Sequence, residues 1–355
     1  MMAQKLIYTN HVAQELDRLV EAIAPSNIVV IVDSNTKSFV LPRMQAESEA
    51  IAKASVIEVA PGDANKNLES LSSIWKQMQE AGCNRLSLVI NLGGGMVTDM
   101  GAFAASTFKR GVKFINVPTT LLAAVDASVG GKTGINYNGL KNEIGVFNEA
   151  DAVIISSTFF NTLNDQEKLS GYGEMIKHAL LSSKEEYESL LKHDVTNIDP
   201  DKMLELIKSS VAVKEKIVTE DPKEKGLRKA LNLGHTVGHA FEELSIERKS
   251  PIPHGYAVVF GIVCELILAS KKAGFPNAEV TRFASYVKDT YGVFPFTCRE
   301  YDRLIALMRH DKKNKNSDEI NFSLLEAPGT IVLDCVASDD EIKEAFDLYR
   351  ELSGE

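Results

Sequence analysis

Leu86-Ser87-Leu88-Val89-Ile90-Asn91-Leu92-Gly93-Gly94-Gly95 decides how the first half of this chain is read. Its apolar, β-branched run is that of a buried strand, which parallel sheets accommodate. Three glycines then strip the backbone of side chains, and a helical pattern follows from Val97 to Thr107. Free N–H groups and the dipole at a helix N-terminus favour an anion such as a pyrophosphate. The spacing is not Gly-x-Gly-x-x-Gly, so the ordinary dinucleotide fingerprint does not apply. A tight turn alone would also use glycines.

Working outward, β-branched runs recur at Asn27–Val32, Ser55–Val59, Arg85–Asn91, Lys113–Val117 and Ala152–Ile155, alternating with helical patterns. They end in turn chemistry: Asp33-Ser34-Asn35, Pro61-Gly62-Asp63, the three glycines, and Pro118-Thr119-Thr120. That alternation predicts parallel strands joined by crossover helices, with ligands at the strand ends. After Thr158 the 3.6-residue period takes over, in Gln166–Leu181, Met203–Val218 and Ala257–Lys272. A basic loop, His310–Asn316, precedes a strand-like Glu319–Leu325, and a helix near Asp339–Leu352 closes the chain. The expected architecture is an α/β N-terminal domain with a Rossmann-like parallel sheet, residues 1–157, plus a mainly α-helical C-terminal domain, residues 158–355.

Composition agrees with an enzyme of two domains. The 355 residues are 44% hydrophobic and 25% charged, near the globular average. A net charge of -10 argues against nucleic acid or an anionic membrane as partner, since both need a cationic field. Met1–Ala24 mixes charges with its apolar residues and carries no signal-type apolar region, so a cytoplasmic location is expected. Ala257–Ala269 is broken by Gly261 and Glu265 and falls short of the ~20 residues that span a bilayer; it reads as a buried helix. Cys83, Cys264, Cys298 and Cys335 fit no Cys-x-x-Cys spacing, as in a reducing compartment.

His235-Thr236-Val237-Gly238-His239 puts two imidazoles on one helix face, one turn apart. His254 opens the apolar run, and Glu174 lies in Gly171-Tyr172-Gly173-Glu174-Met175-Ile176-Lys177-His178. Two neutral imidazoles and a carboxylate suit zinc and leave positions open for a substrate oxygen. Spacing alone leaves His178 and His239 as eligible as the others, for metal or for proton transfer. Asp33, near the end of the first strand, suits a ribose or a helix cap, and Asp99, read in the first turn after the glycines, suits a polar ligand or the helix dipole. A phosphorylated substrate needs cations; candidates are Arg110, Lys132, Lys141, Lys177, Lys214, Arg228 and Lys312. Lys132 stands out inside the glycine-rich Val129-Gly130-Gly131-Lys132-Thr133-Gly134, read as a loop. That stretch lacks the first glycine and the strand of a nucleotide-triphosphate loop.

These motifs together resemble the 3-dehydroquinate synthase family of sugar-phosphate cyclases along nearly the whole chain. The residues that carry the resemblance are Asn91–Gly95 with Asp99, Arg110-Gly111, Pro118–Ala123, Val125–Gly134, Lys141-Asn142, Gly173–Lys177, Gly226–Arg228, Leu231–Ala240, His254-Gly255 and Asp311–Lys313. The resemblance implies an NAD-binding domain, a helical domain, and a site in the cleft between them holding zinc, cobalt or a similar divalent ion. It assigns the metal to Glu174, His235 and His254. NAD falls to Asp33, Asn35, Asp63, Lys66, Gly93, Gly94, Gly95, Asp99, Thr119, Thr120, Asp126, Lys132, Lys141 and Thr162. The substrate falls to Arg110, Asp126, Lys132, Lys141, Asn142, Lys177, Lys214, Arg228, Asn232, His239 and Lys312, with Arg110 reaching the phosphate from a neighbouring subunit of a homodimer. Proton transfer falls to Glu224 and His239, and catalytic roles also to Arg228, Lys132, Lys177 and Asn232.

The implied reaction converts 3-deoxy-D-arabino-heptulosonate 7-phosphate to 3-dehydroquinate and phosphate, by transient NAD oxidation, elimination, reduction and aldol closure. Three departures stand out: Asp63 where the family has Glu, Tyr256 for the Glu of His-Gly-Glu, and Gly173 for the usual Ala before Glu174. Rival readings are a cyclase acting on another sugar phosphate, a metal- and NAD-dependent polyol dehydrogenase, and an inactive sensor. The cation set disfavours the dehydrogenase, because a neutral polyol needs none, and no essential position is lost as the sensor would require.

Overall fold

Runs of valine, isoleucine and leucine that cannot stay in water condense into a sheet covered by helices. In this computed structural model, which describes residues 4–138, 140–222, 224–309 and 320–354, the chain divides into two compact units. One is Met1–Asn164 with Asp199–Lys208; the other is Asp165–Ile198 with Ser209–Glu355.

The first unit contains β1 (Leu6–Tyr8), α1 (Val12–Ile23), β2 (Ile28–Asp33), α2 (Ser34–Phe39), α3 (Leu41–Glu47), α4 (Glu49–Lys53), β3 (Ser55–Val59), α5 (Leu68–Glu80), β4 (Leu88–Gly93), α6 (Gly95–Thr107), β5 (Lys113–Pro118), β6 (Lys132–Tyr137), β7 (Leu140–Phe147) and β8 (Ala152–Ile155). Six strands form one sheet in the order β1-β8-β5-β4-β2-β3. Every neighbouring pair is parallel. The deciding stretch lies inside it: β4 pairs Val89 with both Val29 and Phe114, and all six of its residues are buried.

Four strands escaped the sequence reading. β1 is only three residues long. β6 and β7 form an antiparallel hairpin in which Lys132 pairs with Phe147, so Lys132 starts a strand and not the expected loop. The glycines misled here: Gly134 and Gly145 allow the two strands to close, since a Cβ on Gly145 would lie 1.9 Å from the Thr133 carbonyl oxygen. The fourth, Thr330–Ala337, belongs to the second unit.

The second unit contains α7 (Asp165–Ser182), α8 (Lys184–Leu190), most of α9 (Pro200–Glu220), α10 (His235–Glu247), α11 (His254–Lys272), α12 (Asn277–Tyr291), α13 (Tyr301–Arg309), the antiparallel pair β9 (Ile320–Ala327) and β10 (Thr330–Ala337), and α14 (Asp339–Ser353). α11 is long and apolar enough to cross a membrane by composition, yet 78% of its apolar window is buried, as in a core helix. The ring of Phe241 of α10 lies tilted at 4.8 Å from Phe294 and 6.1 Å from Phe346 of α14, clamping α10 to the core through large aromatic surfaces.

Candidate functional site

In the first unit the C-terminal edge of the sheet carries Asp33, the three glycines and Thr119-Thr120. The Thr119 amide donates to the Gly93 carbonyl at 2.9 Å, tying the ends of β4 and β5 together. α6 begins at Gly95 with Gly94 as its N-cap, and no side chain caps it. Larger residues would be tight there: a Cβ on Gly94 would sit 3.1 Å from Thr120 Cγ2, and one on Gly95 would sit 3.2 Å from Ala127 Cβ.

Asp33 accepts from the Thr36 amide at 2.7 Å and so caps α2, while Asn35 is exposed beside it. Asp99 is not in the first turn of α6, which holds no acid. A helix starting at Gly95, earlier than the pattern from Val97 suggested, moves Asp99 into the second turn. There it pairs with Lys66 Nζ at 2.5 Å, and Lys66, only 3% exposed, also reaches Asn142 Oδ1 at 2.5 Å. Asp63 accepts from Asn136 Nδ2 at 3.0 Å and lies 3.9 Å from Lys141 Nζ. Asp126 sits in a π-helical turn, Ala123–Ala127, which no pattern announced. Thr162 donates to the Phe159 carbonyl at 2.7 Å in a 3₁₀ turn, apart from that edge in sequence and structure element. Arg110 is exposed with φ 71, next to Lys109 at φ 52; such left-handed residues cost roughly 1–3 kcal/mol each and persist where surroundings enforce them.

In the second unit three helices bring Glu174, His235 and His254 together, with one ligand atom from each lying within 4.8 Å of the others. Glu174 faces inward from α7, while His235 and His254 are the first residues of α10 and α11. His235 Nδ1 lies 3.1 Å from the Leu233 carbonyl oxygen, which can only accept. His254 Nδ1 lies 3.2 Å from Glu242 Oε2. Both rings therefore turn Nε2 toward Glu174 Oε1, at 3.4 Å and 3.3 Å. A ligand histidine is commonly oriented in this way by an acceptor on its other nitrogen.

Glu174 is fully buried, pairs in charge with Lys177, and neither of its oxygens makes a well-aligned hydrogen bond among the described residues. Burial pushes its carboxyl up, but Lys177 and the two histidines outweigh burial and hold it well below the usual carboxylate range. Burial, reinforced by Lys177, pushes His235 down to about 3 against the pull of Glu174. Burial also opposes the charge on His254, but Glu174 and Glu242 raise it to about 10. Buried oxygens without a well-aligned hydrogen bond among the described residues, with two oriented imidazole nitrogens facing them, fit a divalent ion of the zinc or cobalt kind.

His239 stands beside the triad, its ring 5.3 Å from His235 and 5.9 Å from His254. His178 is buried and lies outside the triad, with Nδ1 2.9 Å from Ser210 Oγ. Lys214 is buried on α9. Arg228, 3% exposed, donates to the Pro222 carbonyl at 3.0 Å, while its Nε finds no acceptor among the described residues. Asn232 donates to Glu224 Oε1 at 3.3 Å, and Glu224 itself holds φ 57. Lys312, and the basic loop around it, lie outside the described residues. Sequence reasoning missed Glu242 and Glu265. The available signal was a lone carboxylate, Glu265, inside an apolar run, which burial does not tolerate without partners.

Family models for 3-dehydroquinate synthase match the chain in two parts, the N-terminal one over residues 56–170 and the C-terminal one over residues 171–314. A 3-dehydroquinate synthase of Parabacteroides distasonis is 46% identical over 354 residues, covering 100% of both chains. Among solved structures, a 2-epi-5-epi-valiolone synthase of Streptomyces hygroscopicus with NAD+ and Zn2+ bound superposes with a TM-score of 0.88 at 22% identity, covering 99% of this chain and 98% of that one. A 2-deoxy-scyllo-inosose synthase complexed with carbaglucose-6-phosphate, NAD+ and Co2+ gives 0.85 at 21% identity, over 98% and 96%. The structural likenesses speak for the fold, and the full-length identity for the family. The chain belongs to the 3-dehydroquinate synthase family.

Proposed function

We propose that the chain is a phosphate-eliminating lyase that converts 3-deoxy-D-arabino-heptulosonate 7-phosphate to 3-dehydroquinate and inorganic phosphate. The observation that carries this reading is the Glu174, His235 and His254 triad within a chain matched from end to end by a 3-dehydroquinate synthase. Glu174, His235 and His254 would hold a zinc or cobalt ion, which supplies Lewis acidity to an oxygen of the substrate and so stabilises charge beside it. The segment from Asp33 through Gly93–Gly95 and Thr119-Thr120 would hold NAD+, which takes a hydride and returns it within one turnover.

The remaining roles follow from charge and burial. Oxidising the alcohol next to the carbon that must lose its proton makes that proton acidic, and phosphate can then leave the adjacent carbon. Lys177, Lys214 and Arg228 are buried cations, worth more to a carboxylate or phosphate than exposed ones because little water screens them. The Nε of Arg228, which has no acceptor among the described residues, supports a contact with the substrate. His239, beside the triad, moves the proton at the alcohol being oxidised, and Glu224 with Asn232 serves a second transfer. Asp126, Lys132, Lys141, Asn142 and Lys312 complete the substrate contacts, and Asp63, Lys66, Asp99 and Thr162 those to NAD.

A homodimer, with Arg110 reaching the phosphate of the neighbouring subunit, is supported by the exposed apolar residues of β7, where Leu140 is 56% and Phe147 72% exposed. Four unpaired cysteines are consistent with a cytoplasmic setting. The deciding experiment supplies the heptulosonate phosphate with NAD+ and metal. Equimolar phosphate and cyclic product are expected, without a build-up of NADH; accumulating NADH would instead mark a polyol dehydrogenase.

A further inference from the structure

Glu265 is a fully buried carboxylate in the middle of the apolar helix α11, where an isolated charge would cost several kcal/mol. It is satisfied by the N-terminus of α10. Glu265 Oε2 accepts from the Gly234 amide at 2.6 Å, and Oε1 accepts from the amides of Thr236 at 3.1 Å and Val237 at 3.3 Å. These are orphan donors that a helix ordinarily gives to a Ser, Thr, Asp or Asn at its own N-cap. α10 has no such side chain, because its N-cap is Gly234.

Gly234 has no alternative there. It holds φ 78, and a Cβ on it would lie 2.4 Å from Ile262 Cγ1 and 2.7 Å from the Val258 carbonyl oxygen. On the facing helix, a Cβ on Gly261 would lie 2.1 Å from the Gly234 carbonyl oxygen. The two backbones are thus pressed together just before His235, too tightly for α10 to cap itself, and the cap comes from one helical turn further along α11.

We infer that Glu265 is a positioning residue for the metal site, locking the first turn of α10 to α11 so that His235 is held in place against His254. Both metal-facing histidines begin a helix, and the Glu265 carboxylate joins those two helices at the turn that carries His235. Glu265 lies eleven residues along α11 from His254, roughly 16 Å at the rise of a helix, so it acts through backbone and not by touching an ion. A carboxylate at a helix N-terminus also complements its dipole. This role rests on the reading of Glu174, His235 and His254 as the metal ligands.

The test is a Co2+ titration of E265Q and parent protein, at a temperature where circular dichroism shows both folded, together with the visible spectrum of the bound Co2+. Glutamine keeps the shape and one acceptor oxygen, but sets an N–H against the Gly234 N–H. About tenfold weaker Co2+ binding or more is expected, with an altered spectrum, which is the range that partners of metal ligands command. Binding within twofold of the parent overturns the inference. Weaker binding with an unchanged spectrum also overturns it, since it assigns Glu265 to stability alone. If E265Q fails to fold, E265D, which keeps the charge but withdraws it by one methylene, is read in the same way. If neither folds, Glu265 is a structural anchor and the positioning role falls. Parent protein that binds no Co2+ sinks the metal reading itself, a separate outcome.

Discussion

Gly173 packs directly on Gly255: a Cβ built on Gly173 would stand 2.5 Å from the Gly255 carbonyl oxygen. These two glycines precede and follow the proposed metal ligands Glu174 and His254, so the contact that brings α7 and α11 together also brings these two side chains together. A third glycine, Gly234, makes the equivalent approach beside His235. Each proposed ligand thus neighbours the one residue type that lets backbones meet.

Gly255→Ala tests that relationship. Its Cβ would fall 1.8 Å from the Ser170 carbonyl oxygen, and backbone cannot swing aside as a side chain does. Overpacking of this sort costs about 1–3 kcal/mol. A lowered Tm by scanning fluorimetry and at least tenfold weaker Co2+ binding are expected. An unchanged Co2+ affinity would separate the site from this helix contact.

Arg228→Lys removes the Nε donor while keeping a positive charge. Hydrogen bonds to charged groups are worth about 1.5–3 kcal/mol, so KM for the heptulosonate phosphate should rise by about tenfold or more. Steady-state kinetics on phosphate release reads this directly, and a KM equal to the parent's would take Arg228 out of the substrate contacts.

Stripping divalent ions with a chelator should abolish phosphate release and lower Tm, because an ion that binds only the folded state stabilises it. Zinc or cobalt restored to about 100 times its Kd should return about 2.7 kcal/mol. In His235→Ala the same addition should leave Tm almost where it was.

Stability should fall at high pH through buried tyrosines. Burial pushes the Tyr187 hydroxyl up to about 12 from its ordinary 10, against the pull of Arg282. The folded state therefore holds this proton more tightly than the unfolded state. Its contribution is fully present below pH 10 and is lost as pH climbs toward 12. Its full loss costs about 3 kcal/mol. Urea midpoints between pH 9 and 11 should decline less steeply in Tyr187→Phe than in the parent; parallel curves would assign the decline elsewhere.

Thiol labelling should follow burial. Cys298 is exposed, whereas Cys264 is buried, and burial together with Glu265 pushes its thiol well above the usual range. With an aromatic disulfide reagent at neutral pH, Cys298 should react first and Cys264 only on unfolding. Rapid modification of Cys264 in native protein would contradict the packing of α11.

Much of this protein was determined by local sequence. The apolar run ending in Gly93-Gly94-Gly95 specified a central parallel strand, because nothing so apolar can face water, and the 3.6-residue period specified α7, α9, α11 and α14 nearly to their ends. The resemblance singled out Glu174, His235 and His254 through their motifs. Only the tertiary structure decided that these three point at one another, that Glu242 orients His254, and that Glu265 caps a helix other than its own. The hairpin β6–β7 and the pairing of Lys66 with Asp99 likewise appear only on folding. The reason is range. Hydrophobic periodicity and turn chemistry act within about one helical turn or one strand, and a sequence displays them directly. Hydrogen bonds across 29 to 31 residues, such as those from Gly234 and Thr236 to Glu265, depend on how closely two backbones approach, which no local pattern records.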